Sequence, residues 1–155
     1  MQSSLNCKKT LEDILTEISI QYYADSTLII VTQAGKVGNL IQASLPATVP
    51  IIFSPQDSEP NAPLLPPPPI AIQLVPLLGS APSDRTQTLH NLYVAQIATI
   101  VWLSQSENPL QAARKNVVVG IALRRTNETG DSDLSETERK TFYGVMSAIQ
   151  DLLSP

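Results

Sequence analysis

Between Pro46 and Pro82 the chain carries eleven of its thirteen prolines, four of them consecutive from Pro66 to Pro69. Proline fixes φ and has no N–H to donate. Runs of it exclude helix and sheet interior and favour extended polyproline II. No Lys or Arg occurs between Lys36 and Arg85. About the first two thirds of the stretch therefore reads as a loop or disordered excursion, an insert at about 46–69 within one domain spanning 1–155. From Ile70 to Leu78 an apolar pattern returns and predicts a strand. Pro76 within it demands a sheet edge or a bulge.

Upstream, Ile18 to Tyr22 is rich in β-branched and aromatic residues and predicts a strand. Leu11, Ile14, Leu15 and Ile18 also fit a helical stripe, so the residues before it are ambiguous. Residues ahead of Leu11, Cys7 among them, read as a mobile tail. Leu28 to Gln33 and Leu40 to Leu45 predict two more strands, joined as a tight hairpin by "AGKVGN". Downstream, Asp84-x-x-Gln87 reads as a capping box opening a helix to Leu103. Val117 to Leu123 predicts an apolar strand. Ser135-x-x-Glu138 opens a last helix with Phe142, Val145, Met146, Ile149 and Leu152 or Leu153 on its buried stripe.

This order predicts an α+β fold, a mainly antiparallel sheet of five to six strands with two helices on one face. "LIIV" and "VVVGIAL" are apolar at successive positions, the mark of strands buried on both sides. Two helices cover one face only, so a partner must cover the other, unless the insert folds back over it. Ile29, Ile30, Val118 and Val119 are the candidates for that dimerisation face, with the face of each left open.

The charged share is 15% and the aromatic share 5%, with a net charge of −4. A balance this acidic argues against nucleic-acid binding, which draws on clustered Lys and Arg. No apolar run is long enough to span a membrane, and the N-terminus lacks the order of a signal peptide. The expected location is intracellular. One cysteine and one histidine cannot supply a zinc site, and no cofactor or metal is expected.

Gly35-Lys36 invites comparison with a phosphate-binding loop. That motif needs a glycine at the position of Ile30, Ser or Thr at that of Val37, and a following helix. All three are missing. His90 has no nucleophile or orienting carboxylate in sequence reach, and Cys7 reads as an ordinary thiol. Leu64 to Ile70 lacks the basic neighbour usual in ligands of polyproline-reading domains, and reads as linker. No catalytic constellation remains, so an interaction protein is expected rather than an enzyme.

Val31, Thr32, Gln33, Gly35, Lys36, Gly38 and Leu40 match the Val-Thr-Gln-x-Gly-Lys-x-Gly-x-Leu pattern of the proteasome assembly chaperone 3 family, which this chain resembles. The likeness runs through "TEISIQYYADST", "LVPLLG", "LHNLYVAQIATIVWLSQ" and "VVVGIALRR", with a longer insert and a longer loop at 126–133. The resemblance implies a non-catalytic cytoplasmic chaperone, with the nucleus as a second compartment. It implies pairing through the sheet with a related chaperone, the fourth of the series, and support of alpha-ring formation in the 20S proteasome core. A homodimer is the alternative assembly. Thr32, Gln33, Gly35, Lys36 and Gly38 are the protein-contact candidates at the hairpin. The competing reading is a small α+β dimerisation scaffold of longin or roadblock type in trafficking; helix order and the Gly-Lys connection tell against it.

Overall fold

Alternating β-branched residues build the sheet, and their register decides which side chains reach the core. The computed structural model describes residues 4–33, 38–46, 48–49, 51, 65–79, 81, 83–106, 114–123 and 136–153. The elements run β1 (Ser4–Leu11), β2 (Ile14–Tyr22), β3 (Ser26–Thr32), β4 (Asn39–Ser44), β5 (Gln73–Leu78), α1 (Asp84–Ser106), β6 (Asn116–Ala122) and α2 (Glu136–Leu153). The six strands form one sheet in the order β1-β2-β3-β6-β4-β5. Only β3 and β6 are parallel; the other pairs are antiparallel.

The expected α+β architecture is present, with two departures in detail. First, the N-terminal residues are not a tail. They form β1, paired with β2 across a two-residue turn at Glu12 and Asp13, whose φ values are 48° and 64°. Both turn positions need positive φ, as tight hairpins do, but neither residue is the Gly or Asn that advertises such a turn. Cys7 is therefore a half-buried strand residue.

Second, β3 and β4 do not form a hairpin. β6 lies between them, parallel to β3 and antiparallel to β4. The connection after β3 starts at the end of β6, where Gln33 N donates to Ala122 O at 2.8 Å. Gly38 has φ +69°, and a Cβ there would run into the Ile121 carbonyl and the Ala122 side chain. Glycine is needed for close approach to β6 as much as for the turn.

One rung places Ile20, Ile29, Val119 and Ile41 side by side, and the next Ile18, Val31 and Ile121. All seven are at most 1% exposed. Each such side chain contributes on the order of 1.5–3 kcal/mol by leaving water. α2 packs over β1 and β2, α1 over β4, β5 and β6, and the helices touch each other. Tyr93, Ile97, Val101 and Trp102 of α1 meet Val145, Met146 and Ile149 of α2 in this single core. The cap of α1 is Ser83, whose Oγ accepts from Thr86 N at 3.1 Å. Gln87 of the expected box is engaged elsewhere, with Asn39 and Asn91.

β5 is an edge strand, and the register slips between Leu40 and Ile41, whose partners are Leu78 and Pro76. Pro76 thus sits at an edge beside a bulge, where its missing N–H costs no ladder bond. At the other edge Lys8 and Lys9 are exposed on β1, charges that discourage strand addition.

The insert is anchored at both ends on the helix side. Arg114 Nη1 donates to the carbonyls of Pro46 (2.6 Å) and Val49 (2.9 Å), and its guanidinium lies 5.9 Å from the Trp102 ring centroid. At the far end Gln96 Nε2 donates to Pro66 O at 2.7 Å, and Leu65 packs on the core. Replacing 54–62 with a few Gly and Ser residues is expected to change the melting temperature little, because loop closure depends weakly on length. Deleting through Pro69 strips the buried Gln96 of its acceptor, at roughly 1–3 kcal/mol, or about 2–12 °C for a domain of this size. Melting curves of the two deletions check this.

Candidate interaction face

The register that sends Ile29 and Val119 into the core turns their neighbours the other way. Ile29 and Val119 are 0% exposed beneath the helices. Ile30 and Val118 lie on the opposite, open face and are half-buried. The four candidates therefore divide two and two.

Two apolar rungs cross the open face. Leu28, Val118 and Val75 lie in one, interrupted by Gln42, and Ile30, Gly120, Leu40 and Leu78 in the other. Val75 is 46% and Leu78 69% exposed. Among the described residues the insert packs toward the helix side, against α1 and the core, rather than across this face.

The β1–β2 half of the same face is polar apart from Leu15, which is 52% exposed. Ser4, Asn6 and Lys8 lie opposite Gln21, Ser19 and Glu17, and Lys8 Nζ is 3.8 Å from Glu17 Oε1. Both side chains of that pair are largely exposed, so it adds little stability. A depression of about 490 Å3, edged by Asn6, Lys8, Glu17, Ser19, Ile30 and Thr32, lies where the halves meet. The face thus has an apolar floor over β3, β6, β4 and β5 and a charged margin over β1 and β2. Such a division suits a protein partner that buries the first part and leaves the second in water.

The connection residues are only partly in view. Thr32 is buried, Gln33 Nε2 donates to Thr16 Oγ1 at 3.1 Å, and Gly38 is exposed. Gly35 and Lys36 lie outside the described residues, as does the loop at 126–133.

His90 is more buried than a solvated helix residue, at 7% exposure. Its Nδ1 lies 3.1 Å from Asn39 Nδ2, an amide that also donates to Gln87 Oε1 at 3.1 Å. An amide donor facing Nδ1 fixes the neutral ring with the proton on Nε2. Burial lowers the His90 pKa below its usual value. These neighbours hold β4 to α1 and offer no nucleophile. The unfolded chain binds the proton more readily, so stability contributed by neutral His90 is present above the ordinary histidine pKa and lost as pH falls below it. The melting temperature of the wild type is expected to fall more steeply between pH 7 and pH 5 than that of His90→Gln. Identical slopes would show that the ring is solvated.

Burial likewise pushes the Cys7 thiol up, with Lys9 opposing and Asp151 adding, which keeps it protonated and unreactive. Among the described residues no group of three or more His, Cys, Asp or Glu side chains could hold a metal ion, and no helix is long and apolar enough to cross a membrane.

No family model matches the chain, and no curated protein matches it. Among solved structures, a chain from the crystal structure of a chaperone complex for yeast 20S proteasome assembly is similar, with a TM-score of 0.51 over 99% of both chains at 11% identity. The similarity is one of fold, end to end.

Proposed function

We propose that this chain is a non-catalytic chaperone of proteasome core assembly, acting as one half of a heterodimer with a related chaperone. The observation that carries the proposal is the open sheet face with its apolar floor of Leu28, Ile30, Leu40 and Val118, half-buried and without a covering layer among the described residues, on a fold similar to a subunit of such a complex. A sheet of this kind is completed by a second sheet laid across it, with both helix layers outside. Ile30 and Val118 are then contact residues, while Ile29 and Val119 support them from the core. The pair works in the cytoplasm, with the nucleus as a second compartment, and its clients are alpha subunits of the 20S core. Affinity purification from native cells tests this. A small related chaperone and proteasome alpha subunits are expected to co-purify; small GTPase machinery in their place would favour the trafficking scaffold.

The connection from Gln33 to Asn39 serves in the same reading as a contact element for an alpha subunit or the partner. Lys36 is the only cation in the sequence between Lys9 and Arg85. Exposed ion pairs contribute about 0–1 kcal/mol, so loss of charge alone has little effect. Lys36→Glu replaces attraction with repulsion and is expected to slow association at low salt and to recover at high salt. Association rates equal to wild type for both ligands would reduce the connection to a turn.

A further inference from the structure

The run from Leu64 to Ile70 reads as linker in the sequence, but the structure fastens most of it down. Four consecutive prolines hold Pro66–Pro69 extended, with three residues per turn. Pro66 is buried with its carbonyl bound to Gln96, and Pro69 is half-buried, whereas Pro67 and Pro68 are exposed. The exposure follows the three-fold repeat, so one ridge of the polyproline helix faces the body and the other two face solvent. Ile72 N donates to Pro69 O at 3.3 Å, and the chain turns there. Ile70, in that turn, is 104% exposed. A fully bared isoleucine directly after a rigid proline ridge has no role in this core.

We propose that Pro67, Pro68 and Ile70 form a docking site for a polyproline-reading domain, whose aromatic-lined groove takes the two outward ridges. Such grooves exploit a ligand already in its bound shape. Gln96 strengthens that advantage here, since the segment gives up little further freedom on binding. The ridge the groove would leave to solvent is the one this chain uses as an anchor. Charge narrows the partner. No Lys or Arg lies between Lys36 and Arg85, while Asp57, Glu59 and Asp84 do. The matching groove lacks an acidic pocket of the kind that reads a ligand's arginine. Because Gln96 belongs to α1, the site is on the helix side and stands apart from the open sheet face. It does not depend on the chaperone reading.

The test titrates the full-length chain with a set of purified WW domains, whose grooves are aromatic, and with an SH3 domain whose groove ends in an acidic pocket. Saturable binding to a WW domain is expected, weakened at least tenfold by the double substitution Pro67→Ala/Pro68→Ala with the melting temperature unchanged. The SH3 domain is expected to bind more weakly. No saturable binding to any WW domain at about 1 mM, a range in which only about 4 kcal/mol of binding is needed, would overturn the proposal. Binding unaffected by the double substitution, or tighter binding to the SH3 domain, would overturn it as well.

Discussion

A glutamate at Ile29 or Val119 is expected to unfold the chain, while one at the neighbouring Ile30 or Val118 is expected to leave it folded and without its partner. The contrast comes from side-chain direction alone, since the residues of each pair are adjacent in one strand. Ile29 and Val119 are 0% exposed in the central rung of the core. A carboxylate there loses its hydration with no partner to replace it, and the packed isoleucine or valine is lost too. An effect of about 4–5 kcal/mol or more is expected, against a total stability on the order of 5–15 kcal/mol. On the open face the same carboxylate stays in water and costs the single chain little. Circular dichroism and melting curves separate the classes. Four variants that melt alike would contradict the face assignment.

The second large effect is expected where the two helices are tied together. Arg85 near the start of α1 donates to Glu138 near the start of α2 through Nη2 and Nη1, at 2.6 and 3.1 Å. The Glu138 side chain is 6% exposed and that of Arg85 33%. Removing the arginine leaves a buried carboxylate without its guanidinium, which typically costs 3–5 kcal/mol. The partial exposure of Arg85 favours the lower end, about 3 kcal/mol, or a fall of roughly 6–12 °C in melting temperature. Arg85→Ala is expected to show this loss. Arg85→Met with Glu138→Leu is expected to recover most of it, because an apolar pair of similar volume removes the buried charge. A fall below about 2 °C for Arg85→Ala would mean that the pair is solvated.

Local chemistry was legible in the sequence, and long-range pairing was not. Pro76 announced an edge or a bulge because its missing N–H has few tolerable places, and the structure has both. The apolar runs of β3 and β6 announced two-sided strands; their outward residues prove half-buried on an open face. β1 escaped notice because Glu12-Asp13 bends the chain without a glycine, and because the polar alternation of "SLNCKK" suits a half-covered edge strand as well as a tail. The hairpin expected between β3 and β4 failed for a different reason. Gly38 has the positive φ that a glycine there implies, but its neighbour is Ile121, 83 positions downstream by residue number. Nothing local to "AGKVGN" signals that β6 enters between the strands. The anchoring of Pro66 by Gln96 is likewise a contact across 30 residues.

The most direct test of the account is the mass of the particle in solution. Wild-type protein and Val118→Glu would each be co-expressed with the related chaperone, then weighed by light scattering or native mass spectrometry. A mass of two chains is expected for the wild type and of one folded chain for Val118→Glu. A wild-type protein that stays a single chain, both alone and beside that chaperone, would contradict it.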